Sequence, residues 1–160
     1  MSASACSNSA AATTQRTSPL LTALITKQDT LPLTADLTGD GKADIVGFGD
    51  PGVWVALNNG NGTFPQPAMA VANFAYGAGS WNEARHPRFL ADLTGNRAAD
   101  IAGFGEAGVW VSLNNGHGTF AQPAMAVANF GYSAGVWRAE RHPRFVAGVG
   151  AIGASAGTVD

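Results

Sequence analysis

Ala35-Asp36-Leu37-Thr38-Gly39-Asp40-Gly41-Lys42-Ala43-Asp44-Ile45 decides how this chain is built, because its frame occurs twice. Asp36, Asp40 and Asp44 recur every four residues, a spacing that a helix would gather on one face. Gly39, Gly41 and Thr38 predict a tight loop instead, since glycine reaches positive φ without steric cost. A loop that turns several oxygens inward suits a hard cation such as Ca²⁺, which takes roughly six to eight oxygen ligands. The candidate ligands are the side chains of Asp36, Thr38, Asp40 and Asp44 with the carbonyl of Lys42. The frame returns 56 residues later as Ala91-Asp92-Leu93-Thr94-Gly95-Asn96-Arg97-Ala98-Ala99-Asp100-Ile101. There the candidates are Asp92, Thr94, Asn96, the carbonyl of Ala98, and Asp100. Asn96 removes a negative charge and Arg97 adds a positive one, so the second loop is the weaker cation site. Arg97 is also expected to resist the positive φ that Gly41 permits. An ion in either loop would be structural, because no base or nucleophile stands beside it.

Working outward, residues 35–89 and 91–145 are identical at 40 of 55 positions without a gap. A period of this length points to a repeat architecture. Within a unit, residues 43–49 read as a strand, Asp50-Pro51-Gly52 as a turn and residues 53–58 as a second strand. Asn59-Gly60-Asn61-Gly62 is a strong turn signal. Residues 68–74 make a third strand, and residues 87–91 make the strand that enters the next loop. The fold class is therefore all-β, with four-stranded antiparallel blades of about 56 residues of the β-propeller kind. Propellers close with roughly four to eight blades, so two repeats form an incomplete propeller. The reading divides the chain into a poorly ordered, Ser/Ala/Thr-rich segment at 1–30, a first repeat at 31–86, a second at 87–147 and a divergent tail at 148–160. That tail lacks the third Asp-Leu-Thr-Gly loop the period calls for. A truncated array, or a homo-oligomer that completes the propeller, is the expectation. Met69, Met125, Phe48, Phe104, Phe64 and Phe120 repeat in register and are assigned to the core, as are Trp54 and Trp110.

Composition narrows the function. Net charge is −2 and there is no basic run, which argues against nucleic acid. The single cysteine, Cys6, excludes an internal disulfide framework and a zinc–thiolate cluster. No apolar run is long enough to span a bilayer. The start lacks a basic segment followed by an apolar one, so a conventional secretion signal is not evident. The compartment stays open between the cytoplasm and export by another route.

In a four-stranded blade the connections alternate between two ends. The Gly49–Gly52 turn and the long 74–85 connection share one end, which gathers Tyr76, Trp81, Arg85 and His86, repeated as Tyr132, Trp137 and His142. Aromatic rings stack on the C–H face of a pyranose, and His, Arg or carboxylate groups fix its hydroxyls. Glu106 faces this cluster from the next repeat, and only the joint between the two repeats has both sides present. The alternative is that Trp81 and Tyr76 plug the joint. No serine or cysteine shows a nucleophile's setting, and an enzyme is not expected. A convergence of Asp50 and Glu106 as a hydrolytic pair stays open.

Residues 36–49 resemble the FG-GAP repeats of integrin-type propellers. Gly52-Val53-Trp54-Val55-Ala56-Leu57-Asn58-Asn59-Gly60-Asn61-Gly62-Thr63-Phe64, with Trp81 and His86-Pro87-Arg88-Phe89-Leu90-Ala91-Asp92, resemble more closely the Psathyrella velutina lectin family of seven-bladed fungal propellers. The resemblance implies calcium in some blades and sites for N-acetylglucosamine between neighbouring blades. A non-catalytic lectin for N-acetylglucosamine-type glycans is the expectation. A calcium-stabilised protein-interaction or adhesion module, and a lectin fragment without function, stay open beside it.

Overall fold

The computed structural model describes residues 33–147, so the expectations for residues 1–30 and 148–160 lie outside the described residues. The first sheet comprises β1 (Leu33–Ala35), β2 (Asp44–Phe48), β3 (Val53–Ala56) and β4 (Ala68–Val71). The second comprises β5 (Arg88–Ala91), β6 (Asp100–Phe104), β7 (Val109–Ser112) and β8 (Ala124–Val127). Each sheet is an antiparallel meander in chain order. The registers coincide: Ala35 pairs with Asp44 and Ala91 with Asp100, and the β-bulge at Val53/Trp54 returns at Val109/Trp110. Among the described residues there is no helix, hence none able to cross a membrane.

The residues explain these elements. β-Branched and aromatic side chains fill short strands, and Asx-rich turns separate them. The β4 strand ends earlier than the sequence suggests, because Phe74 takes φ 57° and the chain bends there. The Asn73 Oδ1 stabilises that bend by accepting from Phe74 N at 2.7 Å. β1 is a strand the sequence reading did not name. Its Leu-Thr-Ala-Asp matches Phe-Leu-Ala-Asp of the second repeat closely enough to have been found.

The core lies between the sheets. Leu37, Val46, Val53, Val55, Val71, Phe74 and Trp81 of the first repeat meet Ala99, Ile101 and Phe120 of the second. Ala99 N donates to Asp36 O at 2.8 Å and Asn114 Nδ2 to Leu37 O at 2.9 Å, fastening one blade to the other. Across the sheets, β1 and β5 approach each other. Four core assignments need correction. Met69 and Met125 are exposed, because β4 and β8 are edge strands whose outward face has no neighbour among the described residues. Phe64 is exposed as well, although its counterpart Phe120 is buried. Trp54 is only half buried.

Candidate functional site at the joint between the repeats

The turn Asn82–His86 carries the first repeat's contribution. Arg85 N and His86 N both donate to Asn82 O, at 3.1 and 2.7 Å, and Asn82 N donates to His86 Nδ1 at 2.9 Å. That last bond assigns the neutral tautomer, with the proton on Nε2. His86 Nε2 points toward Glu106 Oε1 at 3.4 Å and has no hydrogen-bond partner although the residue is buried. Arg85 approaches the same Glu106 oxygen at 3.6 Å and lies over the Tyr132 ring, 4.5 Å from its centroid. Arg138 covers Tyr132 as well, 3.7 Å from its centroid. The Ser133 hydroxyl donates to Glu106 at 2.5 Å.

Charge follows geometry. Burial pushes the His86 imidazole below its ordinary value, against the pull of Glu106. Protonation would also set an Nδ1–H against the Asn82 N–H. The Ser133 hydroxyl holds the Glu106 carboxyl below the usual carboxylate range, with Arg85 adding to it and loss of hydration opposing. Glu106 is therefore an anionic acceptor facing a neutral imidazole.

A cleft of about 310 Å³ opens beside this pair, lined by Asn73, Ser80, Trp81, His86, Glu106 and Trp110 among others. The joint thus unites Trp81, Arg85, His86 and Glu106, as the sequence suggested, with Tyr132 in the place expected for Tyr76, but not in the expected way. Trp81 is no open stacking platform. Its indole is buried against Phe74, with centroids 4.8 Å apart, meets His86 edge-on at 5.6 Å, and donates Nε1–H to Asn73 at 2.9 Å. Gly103 makes the room: a Cβ there would stand 2.6 Å from the indole. The plugging role weighed for Trp81 is the one the packing shows, with only an edge left to the cleft. Tyr76 lies apart from the joint, highly exposed, in a second cleft with Asp50, Glu83 and Arg88. Asp50 accepts from Gly77 N at 2.6 Å and shares no cleft lining with Glu106. Trp137 and His142 repeat the Trp81–His86 pair, 5.5 Å apart, on the uncovered side of the second repeat.

Asn73 and Arg88 are residues the sequence reading missed. Asn73 holds both the Phe74 bend and the indole. Arg88 Nη1 donates to Phe74 O at 2.6 Å and lies over Phe48. Asn129 and Arg144 repeat both roles, so recurrence of Asn-Phe and His-Pro-Arg-Phe was the available signal.

At the opposite end of each blade lie the Asp-rich loops. Asp36 accepts from Thr38 N, Gly39 N and Gly41 N at 2.7 to 3.1 Å. Asp44, buried, accepts from Leu37 N and Asn58 N, both at 2.8 Å. Asp40 carries the Lys42 ammonium, which holds its carboxyl below the ordinary range. The second loop copies the first, with Asp92 accepting from Thr94, Gly95, Asn96 and Arg97, and Asp100 from Leu93 and Asn114. Loss of hydration raises the Asp92 carboxyl, and these four donors outweigh it. Arg97 adopts φ 73°, close to the 81° of Gly41, so the expected resistance is overcome by the loop's hydrogen bonds. No three carboxylate, histidine or cysteine side chains are gathered around a metal position among the described residues. The first loop has the oxygen donors that suit a hard cation, with Lys42 in the place of the charge. Asn96 and Arg97 fit one less well.

Fold and joint together define a tandem-repeat protein of β-propeller blades. The model of the FG-GAP-like repeat family matches residues 36–102. Among solved structures the chain is similar to an Agrocybe aegerita lectin, described for specific recognition of non-reducing terminal N-acetylglucosamine. It is 52% identical, with a TM-score of 0.66, over 68% of this chain and 27% of that one. No curated protein matches. The chain carries the FG-GAP-like repeat, resembles that fungal lectin in sequence and fold, and spans about a quarter of its length.

Proposed function

We propose that the chain is a non-catalytic carbohydrate-binding protein that takes terminal N-acetylglucosamine in the cleft between its repeats. One observation carries the reading: His86, whose buried Nε2 has no hydrogen-bond partner, lines a cleft with Glu106 and Trp110. A buried donor left unmade is costly, and a sugar hydroxyl satisfies it. The cleft volume lies at the small end of ligand sites, suited to one terminal sugar. The Agrocybe aegerita relative supports N-acetylglucosamine as that sugar. Glu106 is the one carboxylate of the described cleft lining, and glycoside hydrolysis ordinarily needs two. That favours recognition without turnover. Arg85 and Tyr132 support the Glu106–His86 pair from outside the cleft lining, and Trp137, His142 and Tyr76 are parts of further, unpaired sites.

Calcium belongs to the same reading as a brace. Asp36, Thr38, Asp40, Asp44 and the Lys42 carbonyl hold it in the first loop once the Lys42 ammonium leaves Asp40. Asp92, Thr94, Asn96, Asp100 and the Ala98 carbonyl hold it more weakly. Assembly of copies into a complete propeller is the third part of the proposal.

Calorimetric titration with N-acetylglucosamine tests the site. Glu106→Gln is expected to weaken binding about tenfold or more, the cost of losing a charged acceptor. Affinity unchanged in that variant would place the sugar elsewhere.

A further inference from the structure

Each repeat carries a trailing face and a leading face, and the joint within the chain shows how they fit. On the trailing face of the first repeat, Val71, Phe74, Trp81 and His86 are buried. Their counterparts Val127, Phe130, Trp137 and His142 are the same residue types, exposed or half exposed. On the leading face of the second repeat, Ala99, Ile101, Asn114 and Phe120 are buried. Their counterparts Ala43, Ile45, Asn58 and Phe64 are again the same types and lack that cover. The joint's polar contacts have counterparts too. Ala99 N to Asp36 O, Asn114 Nδ2 to Leu37 O and Phe120 N to Ala70 O correspond to Ala43 N with Asp92 O, Asn58 Nδ2 with Leu93 O, and Phe64 N with Ala126 O.

The leading side of the first repeat also holds a cleft of about 410 Å³, lined in part by Asp50 and Tyr76. In the second repeat the matching ground, between Glu106 and Tyr132, is occupied by Arg85 and His86 of the first. Arg141 and His142 are their counterparts and stand exposed. We propose that a second copy of this chain docks head to tail. The first repeat of one copy covers the second repeat of its neighbour, and Arg141 and His142 enter the Asp50–Tyr76 cleft. The two faces differ, so the contact is heterologous and repeats until a ring closes; about two to four copies give the roughly four to eight blades of a propeller. The new joint is a second sugar site with Asp50 in the place of Glu106, a part that rests on the glycan reading above.

Mass in solution tests the docking, measured on the full chain by light scattering over a range of concentrations. Val127→Glu blocks the trailing face and Phe64→Glu the leading one, both at exposed side chains. The unaltered chain is expected as a defined multiple and each variant as a monomer with unchanged circular dichroism. An equal mixture of the two variants is expected as a dimer, since each keeps one intact face. Should either variant lose its circular dichroism, Val136→Glu and Phe64→Ser take their place. A monomeric unaltered chain, variants of unchanged mass, or a mixture that does not join would each overturn the proposal. Sugar is expected at two sites per chain in the assembly and one in the variants. The predicted masses without any sugar binding would support the docking and sink the glycan reading alone.

Discussion

The two repeats share most of their sequence and differ in what covers them. Phe74 is 0% exposed and Phe130 40%; Phe120 is 9% exposed and Phe64 37%. The same side chain is core in one repeat and surface in the other, because a blade's faces are finished only by its neighbours. Local structure is indifferent to this. Phe130 keeps the left-handed φ of Phe74, 60° against 57°, and Asn129 caps it as Asn73 does. Backbone shape is thus carried within a repeat, whereas burial energy is carried between repeats, as in other one-dimensional arrays.

The largest test of that contrast is truncation of the paired indoles. Trp81→Ala is expected to destabilise by about 3–5 kcal/mol, leaving Phe74, His86 and Gly103 around a cavity. Both are read in the Phe64→Glu background, where no second copy covers the trailing face; there Trp137→Ala, half exposed, is expected to cost about 1–2 kcal/mol. Thermal or urea unfolding of both variants decides the matter, and equal losses would contradict one-sided burial.

The loops offer a second contrast of intermediate size. Calcium at about a hundred times its dissociation constant should stabilise by about 2.7 kcal/mol. Asp36→Ala is expected to remove most of that response and Asp92→Ala little of it, read as the melting shift on adding calcium or a chelator. A response that survives Asp36→Ala would place the ion elsewhere.

The smallest effect is expected from His86, buried where its counterpart in the second repeat is exposed. Burial depresses the His86 value in the folded chain, so the unfolded chain binds that proton more readily. Stability from this group is complete above the unfolded value of about 6.5 and is lost as pH falls through the lower folded value. His86→Gln should flatten the stability profile on the acid side of that value. A profile left unchanged by His86→Gln would contradict the burial of His86.

Much of this was legible in the sequence. The repeat, the eight-strand plan apart from β1, and both Asp-rich loops follow from period, turn residues and alternation. So does the meeting of Arg85 and His86 with Glu106, since strand alternation sends the 74–85 connection and the next repeat's turn to the same end. The errors share a cause. Met69 and Met125 recur like core residues, but recurrence does not say whether a strand is an edge. Whether Trp81 stacks or plugs stayed open because nothing local shows that Gly103, 22 positions later, vacates its seat.

Sequence alone determined the blade: its strands, its Asx-capped bends, and a loop whose carboxylates are spaced to turn inward. Those are short-range matters of φ, propensity and hydrogen bonds between near neighbours. Only the tertiary structure decided which Phe and Trp are buried, that Asp44 and Asp100 bind backbone N–H across to the next strand, and that His86 is left with an unmet donor beside a cleft. Burial and electrostatics belong to surfaces brought together from distant positions, and one repeat does not contain its own neighbour.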